Sequence, residues 1–263
     1  TAHIYVDECN APARMTGCQL IAVATPDGKL TPDLLRPHLQ HFGDCHHAQP
    51  GAVYISQATE LGTLYTVEEV RAIASLVHAH GMKLHMDGAR LANACAALGC
   101  TMREVTVDAG VDILSLGGTK NGLMMGECVI VFNKDLQKEA RFVRKQSAQL
   151  ASKMRYLSCQ FTAYLTDELW LKNATHANVM AAKLYKELKK LPEVTFTQKV
   201  FAHIRGQQAC PKCQNLTSSH AERELADFVE KLGLSIVRND RKILKGLEID
   251  VYIPSIRLGI EYD

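Results

Sequence analysis

No stretch of this sequence approaches the roughly 18 consecutive apolar residues that a membrane-spanning helix needs. The best apolar run, Cys128 to Phe132, is the length of a strand. Charge of one sign is lacking too. Lys+Arg number 30 against 28 Asp+Glu, a formal net charge of +2, which gives no strong pull toward nucleic acid or an anionic membrane. Low-complexity tracts are absent, and a chain that is 47% hydrophobic and 22% charged is neither disordered nor fibrous in composition. The nine cysteines, an odd number scattered from Cys9 to Cys213, are expected in a protein without a signal peptide. Free thiols in a reducing cytoplasm are the simplest expectation. The chain opens on Thr1 and stops at Asp263, and both ends read as cut.

What is present is a length of 263 residues, enough for one or two domains with a sizeable core. From Thr1 to about Val200, short β-branched runs alternate with helical patterns, which predicts an α/β fold with a mainly parallel sheet. Buried strands are expected over Cys18–Ala24 and Ala52–Ser56, and further strands over Lys83–Asp87, Val111–Leu116 and Cys128–Phe132. Thr31-Pro32 reads as a helix start. Thr66-Val-Glu-Glu69 and Thr101-Met-Arg-Glu104 read as capping boxes, and Gly81 and Gly99 as helix stops. After Phe132 the pattern turns helical through Lys190. Around Val200 the character changes again, and residues 201–263 read as a separate small α+β module. That module holds a helix opening at Ser219 and strands at Leu247–Ile253 and Ile256–Tyr262.

The sharpest chemical signal is a pair of blocks, Asp87-Gly-Ala-Arg90 and Gly117-Gly-Thr-Lys120-Asn-Gly122, each placed where a predicted strand ends. Ligands of open α/β sheets gather at the carboxyl ends of strands. A carboxylate at one such end and a lysine at another suit pyridoxal phosphate. The amine condenses with the cofactor aldehyde, and the carboxylate keeps the ring nitrogen protonated so that the ring accepts electrons. The glycines let the backbone come close to a ligand. Arg90, at the start of the following helix, could reach the ring oxygen. Either block alone would fit a helix-start carboxylate or a solvated loop lysine; the two in this order point to the cofactor.

Several stretches resemble the low-specificity threonine aldolases, fold-type-I pyridoxal phosphate enzymes grouped with the β-eliminating lyases. They are Ala2-His3-Ile4-Tyr5, Tyr54 to Glu60, His85 to Arg90, the Gly-Gly-Thr-Lys block, and Gln149 to Arg155. The resemblance runs from Thr1 to about Val200. It implies that Lys120 is the lysine bound to the cofactor, that Asp87 holds the pyridine nitrogen, and that Arg90 lies near the ring hydroxyl. It further implies that His3 stacks on the ring and that Arg155 reaches a phosphate in a neighbouring subunit of a homo-oligomer, a dimer or tetramer with shared active sites. His47 falls where the family places a histidine near the substrate hydroxyl, and water is the competing base. The implied reaction is retro-aldol cleavage of a threonine-like substrate to glycine and an aldehyde, where a histidine base could contribute about 10²–10⁴-fold. The family's phosphate-cradling loop would lie before Thr1 and its substrate-carboxylate arginine after Val200, so weak cofactor binding is expected of this stretch alone. His46, His78, His80 and His85 read as solvated or structural.

Residues 201–263 resemble a different group, the phage-type PD-(D/E)XK nucleases related to very-short-patch-repair endonucleases. The resemblance rests on Asn239-Asp-Arg241, Leu247 to Pro254, and Leu258-Gly-Ile-Glu-Tyr262. It implies that Asp250 and Glu261, on adjacent strands, with Glu222 on the preceding helix, hold Mg²⁺ against a phosphodiester. A solvated hairpin with alternating acids is the plainer alternative. Nine Lys+Arg against nine Asp+Glu in this stretch give no basic footprint for DNA. Cys210-Pro-Lys-Cys213 is half of a four-ligand zinc site. His203 and His220 could complete it, and bare turn cysteines are the alternative. Three readings therefore stand: a pyridoxal phosphate lyase, a metal-dependent endonuclease carried by the tail, and an inert fusion of two incomplete modules.

Overall fold

The computed structural model describes residues 2–190 and, by backbone alone, 237–244, 247–253 and 258–260. The chain divides into two units, Thr1–Thr197 and Gln198–Asp263. In the first, helices α1 (His3–Val6), α2 (Ala11–Thr16) and α3 (Pro32–Leu35) lead to strand β1 (Ala52–Ser56). There follow α4 (Val67–Ala79), β2 (Lys83–Gly88), α5 (Leu91–Leu98), α6 (Met102–Val105), β3 (Ile113–Gly117) and β4 (Glu127–Val131). Helices α7 (Lys134–Gln146), α8 (Arg155–Leu165) and α9 (Leu169–Leu188) complete the unit. The second unit shows an antiparallel meander of β5 (Val237–Leu244), β6 (Leu247–Ile253) and β7 (Leu258–Ile260).

The sheet of the first unit runs in the order β1-β2-β3-β4. β1, β2 and β3 are parallel, with Ser56 opposite Asp87 and Asp87 opposite Ser115. β4 is antiparallel to β3. The reason is connection length: helices carry the chain back between the parallel strands, whereas only residues 118–126 join β3 to β4, too few for a crossover. Period-two alternation sends Val53, Ile55, Leu84, Met86, Leu114 and Leu116 into the core. There they meet the buried stripe Val70, Ile73, Ala74 and Val77 of α4, and Leu91 and Cys95 of α5. Each Val, Leu, Ile or Met of this set contributes about 1.5–3 kcal/mol on full burial.

Both capping boxes form. The Thr66 hydroxyl accepts from Glu69 N–H while the Glu69 carboxylate accepts from Thr66 N–H, and Thr101 and Glu104 do the same for α6. Thr31 caps α3 through the Leu34 N–H. One expectation fails: Cys18–Ala24 is not a strand. Among the described residues nothing pairs with it, and Cys18 and Ile21 stand exposed. An apolar run becomes a strand only when a neighbour takes its backbone hydrogen bonds. The helix expected to start near Arg90 begins at Leu91, with Arg90 as its N-cap.

A buried carboxylate ties the sheet together. Asp112, 6% exposed, accepts from Leu84 N–H (2.8 Å), His78 Nε2 (2.8 Å) and Asn133 Nδ2 (2.7 Å). Burial alone would raise its pKa. These three bonds more than offset that and hold it below the ordinary aspartate value.

Candidate active site

Asp87 is the last side-chain-bearing residue of β2. Its Oδ2 accepts from the Tyr54 hydroxyl at 2.5 Å and its Oδ1 from Ala89 N–H at 2.9 Å. Burial, and then the Asp87 charge, push the Tyr54 phenol up from its ordinary value, so Tyr54 stays a protonated donor. On the same face, His85 Nε2 lies 3.0 Å from Ser115 Oγ and its ring meets Tyr54 edge-on. Burial lowers the His85 pKa against a smaller opposing pull from Asp87, which favours a neutral ring. Tyr54, Ser56, His85, Asp87 and Ser115 thus form one half-buried polar face over three parallel strands.

Lys120 sits in a single 3₁₀ turn, Thr119–Asn121, three residues past the end of β3. Its side chain is exposed, and it makes no hydrogen bond or ion pair among the described residues. Its backbone is held from both sides. Glu127 accepts from the N–H groups of Gly118 (3.2 Å) and Thr119 (3.3 Å). Buried Asn121 donates to Tyr164 Oη and the Trp170 carbonyl, and its own carbonyl accepts from Asn173. An exposed amine on a fixed turn suits a lysine that must bind an aldehyde.

The two strand exits touch. A Cβ added at Gly117 would lie 2.6 Å from both Cα and O of Ala89, a distance that real Cβ atoms do not reach. The absence of a side chain at Gly117 is what allows the β3 exit to lie against the Asp87–Arg90 segment. Arg90 is the N-cap of α5 and half-buried.

His3 opens α1, and its N–H donates to Glu60 Oε1 at 2.9 Å. The same oxygen accepts from Ser56 Oγ at 3.0 Å, so the N-terminal helix is tied to the exit of β1. An open hollow beside it is lined by Ile4, Glu8, Ala11, Pro12, Met15 and Tyr54. His47 lies in the loop before β1, where its Nδ1 is 3.0 Å from Asp44 Oδ2 and its ring stacks on His41. Arg155 starts α8, exposed, over the Tyr156 ring. The structure therefore gathers Asp87, Arg90 and Lys120 at neighbouring strand exits, and His3 at the exit of β1. Among the described residues, the contacts of His47 and Arg155 lie within their own segments. Glu222, Glu261, Cys210, Cys213, His203 and His220 lie outside the described residues. Asp250 falls within β6, described by backbone only.

Tyr54, Glu60 and Ser115 were not given roles by the sequence. Period-two spacing within each strand puts Tyr54 on the face of Ser56 and His85 on the face of Asp87, but only the register between strands brings the pairs together.

A mainly parallel α/β sheet that brings a carboxylate and a lysine-bearing turn to adjacent strand exits defines the class: an open α/β fold of the kind that gathers ligands at the carboxyl ends of its strands. Comparison with known proteins narrows it. The family model for beta-eliminating lyases matches residues 1–207, and the chain belongs to that family. It is 44% identical over 195 residues to a low specificity L-threonine aldolase of Pseudomonas sp. (strain NCIMB 10558), covering 74% of this chain and 56% of that protein. It is also 44% identical over 196 residues to its counterpart in Pseudomonas aeruginosa, covering 74% and 57%. Among solved structures, a threonine aldolase from Leishmania major superposes with a TM-score of 0.67 at 34% identity, over 72% of this chain and 55% of that one. The chain thus spans about half the length of the relatives it matches.

Proposed function

We propose that residues 1–200 act as a pyridoxal phosphate-dependent aldehyde-lyase, cleaving the Cα–Cβ bond of a threonine-like β-hydroxy-α-amino acid to glycine and an aldehyde. The observation that carries this reading is the contact between strand exits at Gly117 and Ala89, which sets the Asp87 and Lys120 blocks side by side. The donor set fits the cofactor. When bound, pyridoxal phosphate supplies an aldehyde for an amine and a ring that stores the electrons of the broken bond.

The residues of this chain divide the remaining work. Asp87, oriented by Tyr54 and Ala89 N–H, accepts a hydrogen bond from the ring nitrogen. Lys120 supplies the free amine, Arg90 a donor for the ring oxygen, and His3 a flat surface for stacking. His47, with Asp44 orienting its Nδ1, accepts the substrate hydroxyl proton at Nε2, the arrangement of a general base held by a carboxylate. Arg155, exposed on α8, serves a phosphate in a second copy of the chain within a homo-oligomer.

The test is release of acetaldehyde from threonine and allo-threonine by the full chain supplied with cofactor. Lys120→Ala is expected to abolish it. Release that persists in that variant, or pyruvate formation from serine with no acetaldehyde from either substrate, would refute the aldolase reading.

For residues 201–263 the nuclease reading rests on Asp250, Glu261 and Glu222, and its support is the antiparallel meander that carries Asp250 on its middle strand. It expects Mg²⁺-dependent nicking of DNA that is lost in Glu261→Ala.

A further inference from the structure

We infer that the loop from His41 to His47 binds a first-row divalent cation of the zinc, cobalt or nickel type through His41, Asp44 and His47. One ligand atom from each of the three lies within 4.8 Å of the others. His47 Nδ1 is 3.0 Å and His41 Nδ1 is 4.0 Å from the same oxygen, Asp44 Oδ2. The two imidazoles are stacked, with centroids 4.0 Å apart and planes 5° from parallel, so both flank one carboxylate, and one ring turns out of the stack for a single ion to lie in both ring planes. In a tetrahedral site with metal–ligand bonds of about 2.0–2.1 Å, neighbouring ligand atoms are about 3.3 Å apart. The separations to Asp44 Oδ2 bracket that value, and rotation of one exposed imidazole closes the set.

The loop is organised around these three residues. The Gln49 carboxamide nitrogen donates to the carbonyls of His41 (3.2 Å), Asp44 (3.0 Å) and His47 (3.0 Å), and its oxygen accepts from Gly43 N–H at 2.7 Å. One side chain therefore holds the backbones of all three ligands. His46 N–H donates to Asp44 Oδ1 at 2.9 Å, which leaves Oδ2 turned toward the imidazoles. That is the outer support metal sites use to orient their ligands.

The ligand chemistry selects the cation. Two imidazoles and one carboxylate suit zinc, cobalt or nickel and are poor partners for Mg²⁺ or Ca²⁺, which demand oxygen. All three side chains are partly exposed, so water completes the coordination. Imidazole binds metal in its neutral form, so affinity falls as pH is lowered. An ion on Nδ1 of His47 leaves the ring proton on Nε2, so ion binding and proton acceptance by Nε2 exclude one another. The proposal is independent of the lyase reading, because binding is read without substrate or cofactor.

The experiment is a titration of the metal-free full chain with Co²⁺, followed by calorimetry and by the visible spectrum, with circular dichroism to confirm that each variant is folded. One ion bound through nitrogen and oxygen is expected, without the near-ultraviolet thiolate band that cysteine ligation produces. Asp44→Asn and His41→Ala are each expected to weaken it by about tenfold or more, at least the loss seen when a ligand's supporting partner is removed. Gln49→Ala is expected to weaken it less. Absence of binding at millimolar Co²⁺, or equal affinity in wild type and both ligand variants, would overturn the assignment.

Discussion

The strand exits of β2 and β3 and the 41–49 loop both collect polar side chains, but they are built differently. At the strand exits, partners come from far apart in sequence: Tyr54 with Asp87, His85 with Ser115, Asn121 with Tyr164 and Asn173. Their positions follow from sheet register and from one glycine-permitted contact. In the loop, every contact of Asp44 and Gln49 spans eight residues or fewer, and a single carboxamide does the organising. Cooperative burial makes the first region rigid and costly to disturb. The second is exposed, so its bonds compete with water and each is worth less.

That contrast has measurable consequences. The largest effect is expected at Gly117→Val, which drives side-chain atoms into the Ala89 backbone. Overpacking typically costs about 1–3 kcal/mol and occasionally more, and no flexible neighbour can yield here, so about 3 kcal/mol is expected. In a unit of this size that is a fall of roughly 6–12 °C in the unfolding midpoint by calorimetry.

Asp112→Ala comes next. It leaves the buried Leu84 N–H without its acceptor, and about 2 kcal/mol should be lost in denaturant unfolding. Its pH signature has a fixed sign. The folded pKa lies below the unfolded one, so the carboxylate stabilises fully above the unfolded value of about 3.9. That contribution disappears as the pH falls through the lower folded value. A wild-type stability profile as flat in acid as that of Asp112→Ala would contradict the account.

His85 gives a smaller effect. Its pKa is lowered on folding, so the unfolded chain takes up the proton first. Stability should decline as pH drops below about 6.5, and His85→Gln should remove that slope. Gln49→Ala in the loop should cost the least, about 1 kcal/mol or below, since its partners regain water. A loss there as large as at Gly117→Val would erase the distinction between the two regions.

Much of the first unit was legible in its residues. Strands β1 to β4 showed as β-branched or apolar runs, and Thr66 and Thr101 announced their helices, because those signals are local. The Asp87 and Lys120 blocks were readable for the same reason: strand end, glycines and chemistry lie within a few residues. Cys18–Ala24 misled because an apolar run says nothing about whether a neighbouring strand exists to pair with it. Tyr54 as the partner of Asp87 and Glu60 as the partner of His3 went unread, since each depends on register across 33 and 57 residues.

The central claim is that the amine at Lys120 and the carboxylate at Asp87 serve one bound cofactor. The most direct check is to add pyridoxal phosphate to the full chain, reduce with borohydride, and map the modified peptide. The account expects the label on Lys120, absent in Lys120→Ala, and a longer-lived absorbance in wild type than in Asp87→Ala. Labelling spread over other lysines and unchanged by either substitution would contradict it.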